Sequence, residues 1–395
     1  MNVDIPTAQP WLDGLWATHI LQQAGYQAWF VGGCVRDLLL ARPIHDVDVC
    51  TDAHPEQVAV LFPRVLEIGR SFGVMIAISP LTGNHVEIAT YRSDGISLDG
   101  RRPEKISFTT VEEDVRRRDF TINGLLLHPR SGEIIDHVAG LADLQNHTLR
   151  LIGVPIDRLR EDRLRVLRGL RFCAHLGFTC DPATWSALCT TTIEGLSRER
   201  IWQEWDKALH APGRTAWLRL LVDSGHLLSI CPLLQLTSLV FSQLDQITPE
   251  DDPLLSDGIV LAHTSSPAIW PWLTSNPLPR ERIRRLRWLR ETAEALACEL
   301  PIAQRRRLLQ HPDAALLVRY LALRGEVPLA GQWLATERKA GSFIPFLRAN
   351  DLLAFGLQPG PEIGRLLRQL EDAQLSGEIP NVASAKAWVQ ATLSR

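Results

Sequence analysis

One stretch, AWFVGGCVRDLLLARPIHDVDVCT (residues 28–51), decides the fold. It begins with a short apolar, β-rich run at 28–31 and continues with the pair Gly32-Gly33. A segment with helical character follows at 34–40, and a second β-rich run contains Asp46-Val47-Asp48. This order predicts a strand, a glycine turn, a helix and a second strand that carries two carboxylates.

The spacing of these residues suits the binding of a phosphate and a metal. A Gly-Gly turn lets backbone N–H groups approach a phosphate closely, and the following helix N-terminus adds a favourable dipole. On a strand, Asp46 and Asp48 project from one face and can bind a divalent cation together. Glu87, in the β-rich run 86–90, is the candidate for a third carboxylate. Two Mg²⁺ ions there could activate a hydroxyl nucleophile and neutralise a leaving pyrophosphate.

Each feature taken alone has an ordinary structural explanation. A Gly-Gly pair is more often only a turn, and an isolated Asp-x-Asp is more often a solvated loop. The single helix between the two motifs favours the functional interpretation. The dipeptide His45-Asp46 also occurs in metal-dependent phosphohydrolases, but no further histidine pattern supports that activity.

The remainder of the chain predicts an α/β head followed by a helical body. Further strands are expected at 73–78 and 86–90, with a helix at 55–61 between the carboxylate strand and the first of these. Helical periodicity begins near Asp157 and continues to the end. Domain boundaries are expected near 150, near 230, across 245–279 and just before 350.

Charge and cysteine content limit the class of protein. The 42 basic and 45 acidic residues give a net charge of -3, which by itself gives no hint of a polyanionic partner. The distribution is uneven, because residues 231–279 contain no Lys or Arg and residues 280–348 contain 14. Seven scattered cysteines without a C-x-x-C pair argue against a disulfide framework or a zinc ribbon. With no leader and no long apolar run, we expect a cytoplasmic protein without a membrane partner.

Four motifs in fixed order resemble a known family. They are Gly32-Gly33-Cys34-Val35-Arg36-Asp37, Asp46-Val47-Asp48, Arg117-Arg118-Asp119-Phe120-Thr121-Ile122-Asn123 and Arg160-Glu161-Asp162-Arg163-Leu164-Arg165. This order is similar to that of class II CCA-adding tRNA nucleotidyltransferases and bacterial poly(A) polymerases, within the polymerase-β-like superfamily. The resemblance covers 25–230 and returns at 350–361, while 231–345 match no motif.

The resemblance implies an α+β fold in four parts. A nucleotidyltransferase head at 1–150 would contain a small mixed sheet flanked by helices. An all-α neck at 151–230 would carry a template for the nucleotide base. A helical body at 231–348 would bind tRNA, and a helical tail at 349–395 would follow.

The resemblance also implies roles for individual residues. Asp46 and Asp48 would be the Mg²⁺ ligands, with Glu87 as the third catalytic carboxylate. Gly33 and Arg36 would hold the triphosphate, while Arg118 and Asp119 would contact the sugar. The complete set of expected nucleotide-binding residues is Gly32, Gly33, Arg36, Arg118, Asp119, Asn123, Asp162, Arg165, Arg168 and Arg171.

The pair Asp162 and Arg165 is expected to choose the base. Three residues apart on a helix, they would lie on the same face, where the Asp162 carboxylate accepts hydrogen bonds and the Arg165 guanidinium donates several. The carboxylate can accept from the amino group of cytosine or adenine, whereas neither guanine nor uracil presents the matching pattern. Arg168 and Arg171 would reach phosphates or orient the pair. The alternative is an amphipathic helix with its leucines buried and its arginines in water.

The polar segment 91–103 resembles the flexible loop that addition of the terminal adenosine requires. Its expected functional residues are Asp99, Gly100, Arg101 and Arg102. The segment Gly69-Arg70-Ser71-Phe72-Gly73 lacks the basic pair typical of poly(A) polymerases, which favours tRNA as the primer. We therefore expect addition of CCA to tRNA from CTP and ATP. The alternatives are A-addition to tRNA ending in CC, poly(A) synthesis and an inactive RNA-binding relative.

The late basic segment has two interpretations, which the sequence leaves open. Its arginines could contact phosphates of the acceptor and T arms of tRNA, without base specificity. Alternatively, they could form a charged helix face balanced by the acidic residues of 245–257. The arginines concerned are Arg284, Arg285, Arg287, Arg305 and Arg306.

Overall fold

The computed structural model describes residues 1–94, 106–264, 266–296, 301–326 and 343–394. The chain divides into two compact units, Met1–Pro232 and Leu233–Arg395. The expected four-part division, with boundaries at 150, 230 and 348, stays a prediction.

The first unit contains a mixed sheet, as expected for an α+β head. Its strands follow the order β3-β4-β5-β2-β1-β8-β9, in which β2 and β5 are parallel and the other neighbours antiparallel. Two small sheets pair β6 with β7 and β10 with β11. The strands of this unit are β1 (Ala28–Val31), β2 (Asp48–Thr51), β3 (Val65–Gly69), β4 (Val74–Ile78), β5 (His85–Thr90), β6 (Arg92–Asp94), β7 (Ile106–Phe108), β8 (Leu126–Leu127), β9 (Ile134–Ile135), β10 (Thr148–Leu149) and β11 (Thr179–Cys180).

Helices flank this sheet and then form the rest of the first unit. They are α1 (Trp11–Gln23), α2 (Gly33–Leu39), α3 (Pro55–Leu61), α4 (Val111–Arg116), α5 (Gly140–Gln145), α6 (Pro155–Glu161), α7 (Leu164–Leu176), α8 (Pro182–Thr190), α9 (Arg198–Leu209), α10 (Arg214–Asp223) and α11 (Leu227–Ile230). The predicted neck therefore contains helices α6 to α11 together with the two-residue strand β11.

The local sequence pattern was sufficient for the elements that surround the Gly-Gly turn. Strand β1 and helix α3 have their predicted bounds, whereas β2 begins at Asp48, so that Asp46 lies outside the strand on which it was expected. Helix α1 was not predicted. It contributes Trp11 to the core, where the indole packs edge-on against Phe30 with ring centroids 5.1 Å apart.

The expected continuous helix through Asp162 and Arg165 is wrong. Helix α6 ends at Glu161, and Asp162 has extended backbone angles of φ -147° and ψ 101°. Helix α7 then begins at Leu164, whose backbone N–H donates to Asp162 Oδ1 at 3.1 Å. The carboxylate thus satisfies an N–H group at the start of α7 that has no partner within the helix. This contact favours a helix start at the position where the sequence suggested a helix interior.

The described part of the second unit is helical. Its helices are α12 (Ser238–Leu244), α13 (Leu254–Ala262), α14 (Ile269–Thr274), α15 (Arg280–Ala295), α16 (Ile302–Leu309), α17 (Ala314–Leu323), α18 (Ala349–Ala354), α19 (Pro361–Ser376) and α20 (Val382–Leu393). The last three share an apolar core that includes Leu352, Leu366 and Val389. In the described ranges, no helix is long and apolar enough to cross a membrane.

Candidate active site

The sheet brings the Gly-Gly turn and two carboxylates together. Strands β1 and β2 pair antiparallel with Val31 opposite Asp48, so the turn after β1 lies beside the first residue of β2. Strands β2 and β5 pair in parallel with Asp48 opposite Glu87. Asp48 consequently lies between the glycine turn and Glu87. Asp46 is exposed and lies two residues before it, in the loop that leads into β2.

Gly32 occupies a position that requires glycine. Its φ of +84° is rarely adopted by residues with a side chain. A Cβ atom at this position would lie 3.4 Å from Asp48 Oδ2 and 3.8 Å from Arg118 Nη1. The missing side chain therefore keeps the space beside the carboxylate open.

The carboxylates accumulate negative charge. Burial and the charges of Glu87 and Asp46 raise the pKa of Asp48 to about 7, while Arg118 opposes the shift. Partial burial and the charge of Asp46 also raise the pKa of Glu87. A divalent cation would relieve this repulsion, and carboxylate oxygens are the ligands that Mg²⁺ prefers. No preassembled group of three His, Cys, Asp or Glu ligands occurs in the described part of the chain. The fit to Mg²⁺ therefore rests on donor chemistry and charge.

A chain of hydrogen bonds links α2 to α7. Arg36 donates to Asp37 at 2.9 and 2.7 Å and to Asn123 Oδ1 at 2.7 Å. Asn123 in turn donates to Asp119 at 3.0 Å. Arg168 on α7 donates to Asp119 Oδ2 through Nε at 3.0 Å and Nη2 at 2.6 Å. Four of the expected nucleotide-binding residues, Arg36, Asn123, Asp119 and Arg168, are thus connected.

Asp119 is held firmly as an anion by this arrangement. Its burial would raise its pKa, but the charge of Arg168 and the hydrogen bonds from Asn123, Arg168 and the Phe120 N–H lower it to about 2. The same contacts occupy both carboxylate oxygens. In this structure Asp119 therefore positions Arg168 and Asn123, and its expected contact with the nucleotide sugar stays a prediction.

Phe172 and Glu204 were not predicted from the sequence, and they contact a cluster formed by Arg36, Arg168 and Arg171. The ring of Phe172 lies within 5.1, 5.3 and 4.5 Å of the guanidinium carbons of Arg36, Arg168 and Arg171, respectively. Buried Glu204 accepts from Arg171 Nε at 2.7 Å. Glu204 lies on α9, seven residues after Ser197, which is the N-terminal cap of that helix. Nothing in the sequence around Glu204 indicates a partner on another helix. Because Arg171 and Glu204 are far apart in the chain, their pairing was not predicted from the sequence.

The expected template residues have separate partners in this structure. Arg200 Nη2 donates to both oxygens of Asp162, at 3.1 and 3.0 Å. Arg165 donates to the carbonyls of Arg158 at 2.7 Å and Arg117 at 3.1 Å, and to Glu161 Oε2 at 3.0 Å. Both residues lie at the junction of α6 and α7, but each is bonded to a different group.

Comparison with known proteins agrees with this architecture. A family model described as "Poly A polymerase head domain" matches residues 28–150, and one described as "Probable RNA and SrmB- binding site of polymerase A" matches 177–236. The CCA-adding enzyme of Streptococcus gordonii is 34% identical over 381 residues, covering 91% of this chain and 92% of the relative. That of Streptococcus mutans is 33% identical over 385 residues, covering 92% and 93%.

This chain belongs to the class II CCA-adding enzyme family. The structure of the Bacillus stearothermophilus CCA-adding enzyme in complex with CTP is 27% identical, with a TM-score of 0.80 over 98% of each chain. The Thermotoga maritima CCA-adding enzyme complexed with tRNA is 20% identical, with a TM-score of 0.70 over 98% of this chain and 96% of that chain. At that identity, the second similarity establishes the fold alone.

Several of the expected RNA-contacting arginines in this family member have internal partners. Arg285 donates to Asp313 at 2.6 Å and to Asp252 at 2.8 Å, which matches the charge-balanced alternative. Arg306 donates to the Leu375 carbonyl. By contrast, Arg284 is exposed and pairs locally with Glu281, and exposed Arg287 lies over the Trp270 ring, 5.2 Å from its centroid.

Two sets of expected residues cannot be placed. The loop residues Asp99, Gly100, Arg101 and Arg102 lie outside the described residues, as does the side chain of Arg305. Their roles stay predictions.

Proposed function

We propose that this chain is a tRNA nucleotidyltransferase that adds or repairs the 3′-terminal CCA of tRNA. It uses CTP and ATP without a nucleic-acid template and releases pyrophosphate. The single observation that carries the proposal is the position of Asp48 between the Gly-Gly turn and Glu87. The family membership supports the choice of reaction, because relatives that match almost the whole chain are CCA-adding enzymes.

In the proposed reaction, the terminal hydroxyl of tRNA attacks the α-phosphate of the bound nucleotide. The Gly-Gly turn and Arg36 would hold the triphosphate, and the leaving group is pyrophosphate. Asp46 and Asp48 would hold Mg²⁺, with Glu87 beside them; when bound, Mg²⁺ supplies positive charge at the reacting phosphate and favours ionisation of the hydroxyl.

The chain contributes chiefly preorganised charge. Arg118 donates to buried Asp114 at 3.1 Å, which fixes its guanidinium near the Gly-Gly turn. Arg36 is fixed in the same way by Asp37 and Asn123. Because these cations are held before the nucleotide binds, they need little reorganisation as charge develops on the phosphates.

Base selection would use Asp162 and Arg165. The Leu164 N–H and Arg200 occupy Oδ1 of Asp162, whereas only Arg200 donates to Oδ2 among the described contacts. Oδ2 therefore has a lone pair available for the amino group of cytosine or adenine. Arg165 would complete recognition by moving from its present acceptors to the base.

The remaining expectations follow from this function. The flexible loop at 99–102 would assist adenosine addition, the helical body would bind the acceptor and T arms of tRNA, and the enzyme would act in the cytoplasm. A-addition alone, poly(A) synthesis and inactive RNA binding are the activities that the first experiment must distinguish.

That experiment supplies CTP and ATP, separately and together, to tRNA transcripts that end at the discriminator base, at C and at CC. We expect all three to reach CCA when both nucleotides are present. Extension of only the CC-ended transcript would indicate an A-adding enzyme, and a long A tail on unrelated RNA would indicate a poly(A) polymerase.

A variant with Asp46→Asn and Asp48→Asn tests the catalytic centre. We expect it to lose incorporation and keep its far-ultraviolet circular dichroism spectrum. Asp157→Asn is the matched control, because Asp157 is an exposed aspartate on α6 that pairs with exposed Arg160. Incorporation by the double variant at the rate of the control would refute the proposed function.

A further inference from the structure

A second arginine shares the acceptors of Arg165. Arg158, on α6, donates to Glu161 Oε2 and to the Arg117 carbonyl. Arg165 donates to the same carboxylate oxygen and the same carbonyl, at 3.0 and 3.1 Å. We call the position of Arg165 defined by Arg117 O, Arg158 O and Glu161 Oε2 its resting position.

Arg158 is built into the junction of α6 with the Arg-Arg-Asp segment. Its side chain is only 12% exposed, and its guanidinium also donates to the Arg118 carbonyl at 3.0 Å. Gly153, with φ +81°, lies beside its aliphatic part, since a Cβ there would be 3.6 Å from Arg158 Cδ. Arg158 therefore ties α6 to the backbone of Arg117 and Arg118 whether or not Arg165 is present.

The shared acceptors lower the cost of moving Arg165. A carbonyl oxygen has two lone pairs and can serve both arginines at once. When Arg165 leaves, Arg158 still donates to Arg117 O and to Glu161, so neither acceptor loses its last donor. Leaving a buried acceptor without a partner would be unfavourable. The single negative charge of Glu161 also cannot neutralise both guanidinium groups, so its ion pair with Arg165 is weakened.

We propose that Arg158 is a positioning residue for base selection. It keeps donating to Arg117 O and Glu161 when Arg165 leaves the resting position, so that Arg165 can move to the nucleotide base. This proposal rests on the proposed function, because it assumes that Arg165 and Asp162 select CTP and ATP. Arg158 itself contacts backbone and Glu161, and it acts on the nucleotide through Arg165.

The test compares Arg158→Ala, Arg158→Lys and Arg165→Ala with the double variant Arg158→Ala/Arg165→Ala. In Arg158→Ala, Arg165 becomes the donor that Arg117 O needs, so we expect it to stay in the resting position. The KM for CTP and ATP should rise roughly tenfold with little change in kcat, and the preference for CTP over UTP should fall by a similar factor. Arg158→Lys should recover part of the preference, because an ammonium group can donate to one of the carbonyls.

The double variant separates positioning from an independent effect. If Arg158 acts through Arg165, the double variant should discriminate between CTP and UTP no worse than Arg165→Ala alone. The matched control is Arg160→Ala, on the same helix but 72% exposed, which should leave the preference unchanged.

Three results would overturn the proposal. The first is a wild-type preference for CTP in Arg158→Ala, the second is a full additive loss in the double variant, and the third is a preference in Arg160→Ala that falls as far as in Arg158→Ala. Failure of the proposed function would look different, because the wild-type enzyme itself would then show no preference for CTP and ATP over UTP.

Discussion

The most informative perturbation is Asp162→Asn, which changes one atom of the proposed template. In the structure, Oδ1 accepts from Arg200 and from the Leu164 N–H, and Oδ2 accepts from Arg200 alone. Asparagine can place its oxygen at the Oδ1 position, which accepts two hydrogen bonds, and its amide nitrogen at the Oδ2 position, where the hydrogen bond from Arg200 is lost. The group that faces the base then becomes a donor, which cannot accept from the amino group of cytosine or adenine.

The size of the effect follows from the lost contact. A hydrogen bond to a charged group contributes about 1.5 to 3 kcal/mol, so kcat/KM for CTP and ATP should fall by roughly 10- to 150-fold. The new amide donor matches the carbonyl oxygens of uracil and guanine. Incorporation of UTP and GTP should therefore rise relative to CTP and ATP.

The assay measures kcat/KM for CTP and UTP on transcripts that end at the discriminator base, and for ATP and GTP on transcripts that end in CC. Asp157→Asn serves as the control, because its side chain is 58% exposed and pairs only with Arg160 among the described contacts. If Asp162→Asn keeps the wild-type ratio of CTP to UTP, the carboxylate does not read the base and the template argument fails.

Two further predictions concern the ion pairs of the two units. Asp119 has a pKa of about 2 in the folded enzyme against an ordinary 3.8, a difference that corresponds to about 2 kcal/mol of stability. This stability is complete above about pH 4 and is lost as the pH falls through about 2. The difference in urea midpoint between wild type and Asp119→Asn should therefore shrink on acidification. A difference that stays constant would contradict the lowered pKa of Asp119. Arg285→Ala should lower the melting temperature, because it leaves Asp313 and Asp252 without their guanidinium partner, and should not change the salt dependence of tRNA binding. For exposed Arg284→Ala we expect an unchanged melting temperature and a weaker salt dependence. Filter binding at several salt concentrations measures the salt dependence.

Much of the candidate active site was predictable because its signals are local. The strand at 28–31, the glycine turn and the helix that follows are encoded within residues 28–39, and the structure contains each of them. The need for glycine at position 32 was also accessible from the pattern. The structure adds the physical reason, which is the φ of +84° at Gly32, an angle that residues with a side chain rarely adopt.

The pairings between distant residues were much less predictable. Glu87 was selected as a carboxylate in a β-rich run, but only the parallel register of β2 and β5 places it opposite Asp48. The expected helix through Asp162 and Arg165 was wrong, because three-residue spacing cannot show that the Asp162 carboxylate accepts from the Leu164 N–H at the start of the next helix. The distribution of arginines likewise gave no sign that Arg285 is bonded to Asp313.

By itself, the sequence determined the α+β class, the order of the catalytic motifs and the family resemblance, since periodicity, turn chemistry and motif spacing are properties of neighbouring residues. Only the tertiary structure decided which charges meet. Asp119 binds Arg168, Arg171 binds Glu204, and Arg158 shares the Arg117 carbonyl with Arg165. These pairs form because burial removes water from groups that are far apart in the chain, so each charge must find its partner across the fold.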